Sequence, residues 1–208
     1  MTDIEKAKLW IVEFCPSVGS YSGTFEPYPF LSNYADVIEK TPNSDLFFDR
    51  QKEHIAHAMR MIAGSRFTDP PAAVASVYLA TRMEFFFRIL SGVLKFDGTW
   101  KEEEIRVLYK QKFLALLDLR RQVNDVAIAF KIAIADPANE RTSHLRDLEQ
   151  RIAAKIKGRY PNAPYLDIGD RIALLRHPGA HGEWGDLSSD AVFYGLLTVV
   201  IFLAQAQP

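Results

Sequence analysis

The chain holds 208 residues, enough for one sizeable hydrophobic core and short for two. Apolar residues make up 48% and charged residues 25%, a balance that argues against disorder. A formal net charge of −1 leaves no whole-molecule field to draw the protein onto nucleic acid or an anionic membrane, so any such binding is local. Cys15 is the only cysteine, which excludes an internal disulfide and a thiolate zinc site built from this chain alone.

In chain order, "MTDIEKAKLW" carries acidic residues and no continuous apolar core, so it does not read as a secretory signal. Residues 3–13 are predicted as a short helix with Trp10 and Ile11 facing inward. Residues 15–44 hold four prolines and two glycines among several aromatics, and read as an irregular excursion with short extended pieces. From Asp45 onward the pattern is helical. Residues 44–64 place Phe48, Ile55, Ala58, Met59 and Ile62 at helical spacing, with Ser44 or Asp45 as N-cap.

The stretch 69–96 opens on Pro70 and Pro71, tolerated in a first helical turn, and points Val74, Val77, Tyr78, Thr81, Phe85, Ile89, Leu90 and Val93 inward. A long helical segment is expected over 101–136, its acidic first turn suiting the positive end of a helix dipole. Another, over 138–158, carries Leu145, Leu148, Ile152 and Ile156 on one stripe. Residues 165–177 form a short helix stopped by Pro178-Gly179, and the last helix runs from about Asp186 to Ala204. Its apolar run 191–204 falls short of the roughly 20 residues that span a bilayer, so it reads as a core helix. The expectation is an all-α bundle of about five or six helices, residues 45–208, preceded by a helix and loop over 1–44. A cytoplasmic location is expected.

Between the last two helices stands "RHPGAHG" (176–182). Its plain reading is a helix C-terminus, where cations face the negative dipole end before Pro and Gly stop the helix. Its chemical reading differs. Along an unbroken helix, Arg176 and His181 would point about 140° apart. With the helix broken at Pro178-Gly179, a turn can bring both side chains to one mouth. A guanidinium offers forked donors to phosphate oxygens, and an imidazole moves protons near neutral pH.

Arg176, His177 and His181, just before a C-terminal apolar helix in an all-α chain, resemble the signature of the HEPN superfamily. That motif is an arginine, often followed by a polar residue, and a histidine four to six residues beyond. The bare spacing recurs at Arg50 with His57 and at Arg171 with His177. The fuller wording and its place before the last helix are what distinguish 176–182. Residues 78–100, a helix followed by Trp100, are similar to the corresponding part of Apea-like HEPN proteins. The resemblance covers about 45–207.

It implies a metal-independent endoribonuclease without cofactor, working as a homodimer whose two Arg–His sets meet in a cleft at the interface. The implied products are a 2′,3′-cyclic phosphate and a 5′-hydroxyl. His181 would act as general base or acid, Arg176 would stabilise phosphoryl charge, and His177 would orient Arg176 or the RNA. It further implies a role in defence, stress response or a toxin–antitoxin pair, with a regulatory or antitoxin protein as a further partner. Some relatives are silent modules that bind RNA, a nucleotide or a partner protein instead.

Glu84 and Arg88 are four residues apart and read as a surface ion pair; Glu84, with Arg82 beside it, is also a candidate for lining the cleft. Residues 141–159 hold six Lys/Arg against two acids. That excess suits either a solvated helix face or an RNA-tracking face using Arg151, Lys155, Lys157 and Arg159. Arg120-Arg121 would extend it if the helices are neighbours. His54 and His57 share a helical face but lack a metal-ligand motif, so no metal site is expected. Phe85-Phe86-Phe87 reads as core.

Overall fold

The computed structural model describes residues 1–14, 28–41, 46–64, 70–95, 98–118, 125–162, 165–173 and 188–206. Among them the secondary structure is helical throughout, save one isolated antiparallel bridge between Leu94 and Trp100. The helices are α1 (Asp3–Phe14), α2 (Tyr28–Lys40), α3 (Leu46–Gly64), α4 (Pro70–Leu90), α5 (Glu103–Asp118) and α6 (Asp125–Ile134). A 3₁₀ turn (Glu140–Thr142) leads into α7 (Ser143–Arg159), followed by α8, described over 168–173, and α9 (Ser188–Gln205). No helix among the described residues is long and apolar enough to cross a membrane.

The bundle forms around α9. Every residue from Val192 to Leu203 is buried, Gly195 and Thr198 included. A helix apolar on all sides needs neighbours on all sides. α1, α2 and α4 supply the larger contacts, with α3 and α7 completing the shell. Gly195 lets α2 approach, since a Cβ there would run into Leu31. The buried Thr198 hydroxyl of α9 donates to Tyr194 O at 2.7 Å. α4 is sandwiched in the same way, with Phe86 stacked edge-on to Phe202 at 5.4 Å and Phe87 to Phe130 at 5.2 Å. Of the triple-phenylalanine run, Phe86 and Phe87 are core and Phe85 packs partly buried against it.

Three expectations change. Residues 28–40, read as irregular, form α2, and Leu31, Ala35 and Ile38 are buried in the common core. The prolines and glycines crowd toward the beginning of 15–44, and their average conceals the i, i+4, i+7 spacing of those three residues. Pro29 sits in the helix's first turn, where its missing N–H is not needed. Second, 101–136 is not one helix: α5 ends at Asp118 and α6 begins at Asp125. Third, Val74 is 63% exposed, while Ala75, Leu79, Met83 and Phe86 face inward. α4 is apolar around nearly its whole circumference, so periodicity fixes the helix and leaves its rotation open.

The turn after α4 explains the tryptophan. Lys95 N–H donates to Thr99 O at 2.7 Å and Gly98 N–H to Lys95 O at 3.0 Å, with Gly98 at φ 86°. A side chain at Gly98 would strain the backbone and crowd the Phe85 ring, 3.3 Å away. The turn lays Trp100 against Tyr109 of α5 at 5.6 Å. α5 is otherwise peripheral. Tyr109 is its one fully buried side chain among the described residues, while Val107, Leu108 and Leu114 stand 45–58% exposed.

Candidate functional site

Arg176, His177 and His181 lie outside the described residues, as do Arg120 and Arg121. Their flanks are described. α8 is held at its start by Asp167, whose carboxylate accepts from Asp170 N–H at 2.8 Å, and by Glu149 of α7, which accepts from Ile168 N–H at 3.0 Å and from the Tyr165 hydroxyl. These are N-terminal helix amides satisfied by side-chain oxygens. Lys131 of α6 reaches across to Asp167 and, at 3.4 Å, to Asp170. Gly169 lets α8 lie directly on α6, because a Cβ there would meet Ala127 Cα at 2.9 Å and Phe130 Cβ at 2.7 Å. The buried Tyr194 hydroxyl of α9 donates to Arg171 O at 2.6 Å. That bond joins the helix before the 176–182 string to the helix after it.

Glu149 is missed by the sequence reading, where it counts only as one of two acids in a basic stretch. Burial pushes its carboxyl above the usual range, opposed by the donors from Tyr165 and Ile168.

Glu84 and Arg88 do pair, Arg88 donating to Glu84 Oε1 at 2.6 Å. The pair is not a surface one, because the Glu84 side chain is only 13% exposed. Arg88 also lies over the Tyr109 ring, 5.8 Å from its centroid. Burial raises the Tyr109 phenol, with Arg88 opposing. Arg82 turns to the other flank of α4. Its guanidinium stacks over Tyr78 at 5.3 Å, and the Tyr78 hydroxyl faces Gln51 of α3 at 3.5 Å.

The four cations assigned to an RNA face of α7 divide. Arg151 pairs with Glu5 at 3.5 Å and Asp147 at 3.7 Å. Lys155 donates to Val12 O and Glu13 O, both at 2.7 Å. These are last-turn carbonyls of α1, a helix with no basic residue of its own there, and Lys155 supplies the missing positive charge. Lys157 and Arg159 stand exposed at the end of α7, Arg159 beside the Tyr160 ring at 5.7 Å. The same seam buries Lys8 between Glu5 (3.1 Å) and Asp147 (2.8 Å). His144 sits beside it, its imidazole held below the usual value by burial first and then by Lys8. Neither Lys8 nor His144 is signalled by local sequence, because their partners lie on another helix.

His54 and His57 are both exposed on α3. Among the described residues no group of three His, Cys, Asp or Glu side chains is placed to hold a metal ion.

No protein-family model matches the chain, and no curated protein or solved structure matches it either.

Proposed function

We propose that this chain is a metal-independent endoribonuclease of the HEPN type, acting as a homodimer in the cytoplasm in defence or stress response. The observation that carries the reading is the string Arg176-His177-Pro-Gly-Ala-His181-Gly shortly before the long apolar last helix of an all-α chain. A second point supports it. The two helices flanking the string are tied by the Tyr194–Arg171 hydrogen bond, a rigid base for side chains that must hold geometry.

In the chemistry so proposed, a ribose 2′-oxygen attacks the adjacent phosphorus and the bond from phosphorus to the 5′-oxygen breaks. His181 takes the 2′-hydroxyl proton or delivers one to the departing 5′-oxygen, its counterpart across the dimer doing the other. Arg176 meets charge building on the non-bridging oxygens. His177 orients Arg176 or the RNA.

The test is incubation of the full chain with a mixed RNA pool in excess EDTA. Cleavage leaving cyclic-phosphate ends is expected, with H181A and R176A each slower by about 100-fold or more. Cleavage surviving both substitutions would return 176–182 to the status of a helix end. A monomer mass at micromolar concentration would remove the shared cleft.

A second reading, a silent module that binds a partner protein, draws on the exposed Val107, Leu108 and Leu114 of α5. Absence of cleavage by well-folded dimer would favour it.

A further inference from the structure

Arg82 stands apart from the other half-buried cations. Arg60 has Asp36 and Glu39, Arg88 has Glu84, Lys131 has Asp167 and Asp170, and Arg146 is enclosed by backbone carbonyls. Among the described residues no carboxylate or carbonyl is paired with Arg82, and its Nε is buried without a hydrogen-bond partner. Its one contact of this kind is the Tyr78 ring beneath it.

Taking a charge partly out of water without a counter-ion is unfavourable, and the usual resolution is an ion pair. Here the Nε is already out of water, and among the described residues no anion faces the guanidinium. The Tyr78 ring, 5.3 Å from Arg82 Cζ, holds the cation on this face, and a guanidinium's forked donors suit a planar or tetrahedral oxyanion. Val74 lies two turns back on the same helix face and is 63% exposed, giving an apolar–aromatic–cationic column along α4. A column of this kind suits single-stranded nucleic acid, which offers a phosphate beside an apolar base face.

We infer that Arg82, stacked on Tyr78, is a phosphate-binding site for single-stranded RNA on the outer face of α4. This rests on the reading of RNA as substrate, and the test separates binding from cleavage. A fluorescein-labelled, mixed-sequence 2′-O-methyl oligonucleotide has no 2′-hydroxyl to attack, and its anisotropy with the full chain reports binding alone.

Arg82→Met, which keeps the aliphatic stem, is expected to bind about tenfold more weakly. The slope of log K against log salt should also fall by about 0.7, the loss of one single-strand phosphate contact. Arg82→Lys should keep the slope and lose part of the affinity, since charge remains and the fork does not. The melting temperature of Arg82→Met should be no lower than that of wild type, because no native ion pair is broken; a lower one would mark a structural arginine and overturn the assignment. Equal affinity and slope for wild type and Arg82→Met would overturn it too, as would a wild-type chain that binds no oligonucleotide. Binding of an acidic peptide through Arg82, in place of the oligonucleotide, would replace phosphate by carboxylate and sink the RNA site. The all-RNA version of the probe, run in parallel, scores cleavage. Binding lost in Arg82→Met without any cleavage by wild type would retain this site and reject the ribonuclease. Undiminished RNA binding and cleavage by Arg82→Met would do the reverse.

Discussion

The seam between α1 and α7 and the outer face of α4 both carry half-buried cations, and they use them in opposite ways. In the seam, Lys8, Arg151 and Lys155 meet Glu5, Asp147 and the carbonyl end of α1, so their charge is spent inside the molecule. On α4, Arg82 meets an aromatic ring and, among the described residues, no anion. A basic residue count therefore misplaces the surface that faces an anion. The stretch 141–159 has the larger excess, yet two of its four assigned RNA contacts hold α1 in place. Of the two arginines on the apolar α4, Arg88 is paired with Glu84 and Arg82 keeps its binding capacity.

The contrast can be broken by substitution. Lys8→Ala would empty a buried slot and leave Arg151 as the remaining partner that Glu5 and Asp147 share, and should destabilise the fold by about 2 kcal/mol in urea or thermal unfolding. Lys155→Met removes the charge at the end of α1 and should cost about 1 kcal/mol, with earlier hydrogen exchange in the last turn of that helix. Lys157→Met, exposed and outside the seam, should change stability by less than about 0.5 kcal/mol. If Lys155 and Lys157 proved equally dispensable, the division of α7 into structural and free cations would fail.

Protonation sharpens the same comparison with smaller effects. His144 in the seam is held below its ordinary value, so it favours the folded state above that value, and this contribution is lost as pH falls through the lowered folded value. Glu149 is shifted up. Its contribution is complete below the ordinary carboxylate value and is lost as pH rises through the raised folded value. Melting curves from neutral pH down to the carboxylate range should therefore show His144→Gln losing less stability than wild type on acidification. Glu149→Gln should lose more, because it lacks the stabilising protonation. Parallel curves for all three proteins would mean that neither group is perturbed by the fold.

Much of the architecture was legible in the chain. The stripe Leu145, Leu148, Ile152, Ile156 is buried residue for residue, and Ile55, Ala58, Met59 and Ile62 likewise, because a regular 3.6-residue spacing with polar residues between admits only one inward face. The Glu84–Arg88 pair was legible too, since four residues along a helix bring two side chains together whatever the fold. Where spacing was regular but the composition uniform, as in α4, the helix could be read and its orientation could not. Where turn-forming residues crowded one end of a segment, as before α2, the average hid a helix.

Local spacing was enough to mark most of the helices, several of the apolar faces they bury, and the Arg176–His181 string before the last of them, because all of these are local in the chain. Which charges are consumed by neighbours was settled in three dimensions. Lys155 finds its partners 142 and 143 residues away, Lys8 finds Asp147 at 139 residues, and Arg82 finds no anion at any separation among the described residues. Electrostatic pairing depends on distance in space and on exclusion of water, and neither is written in the order of the residues.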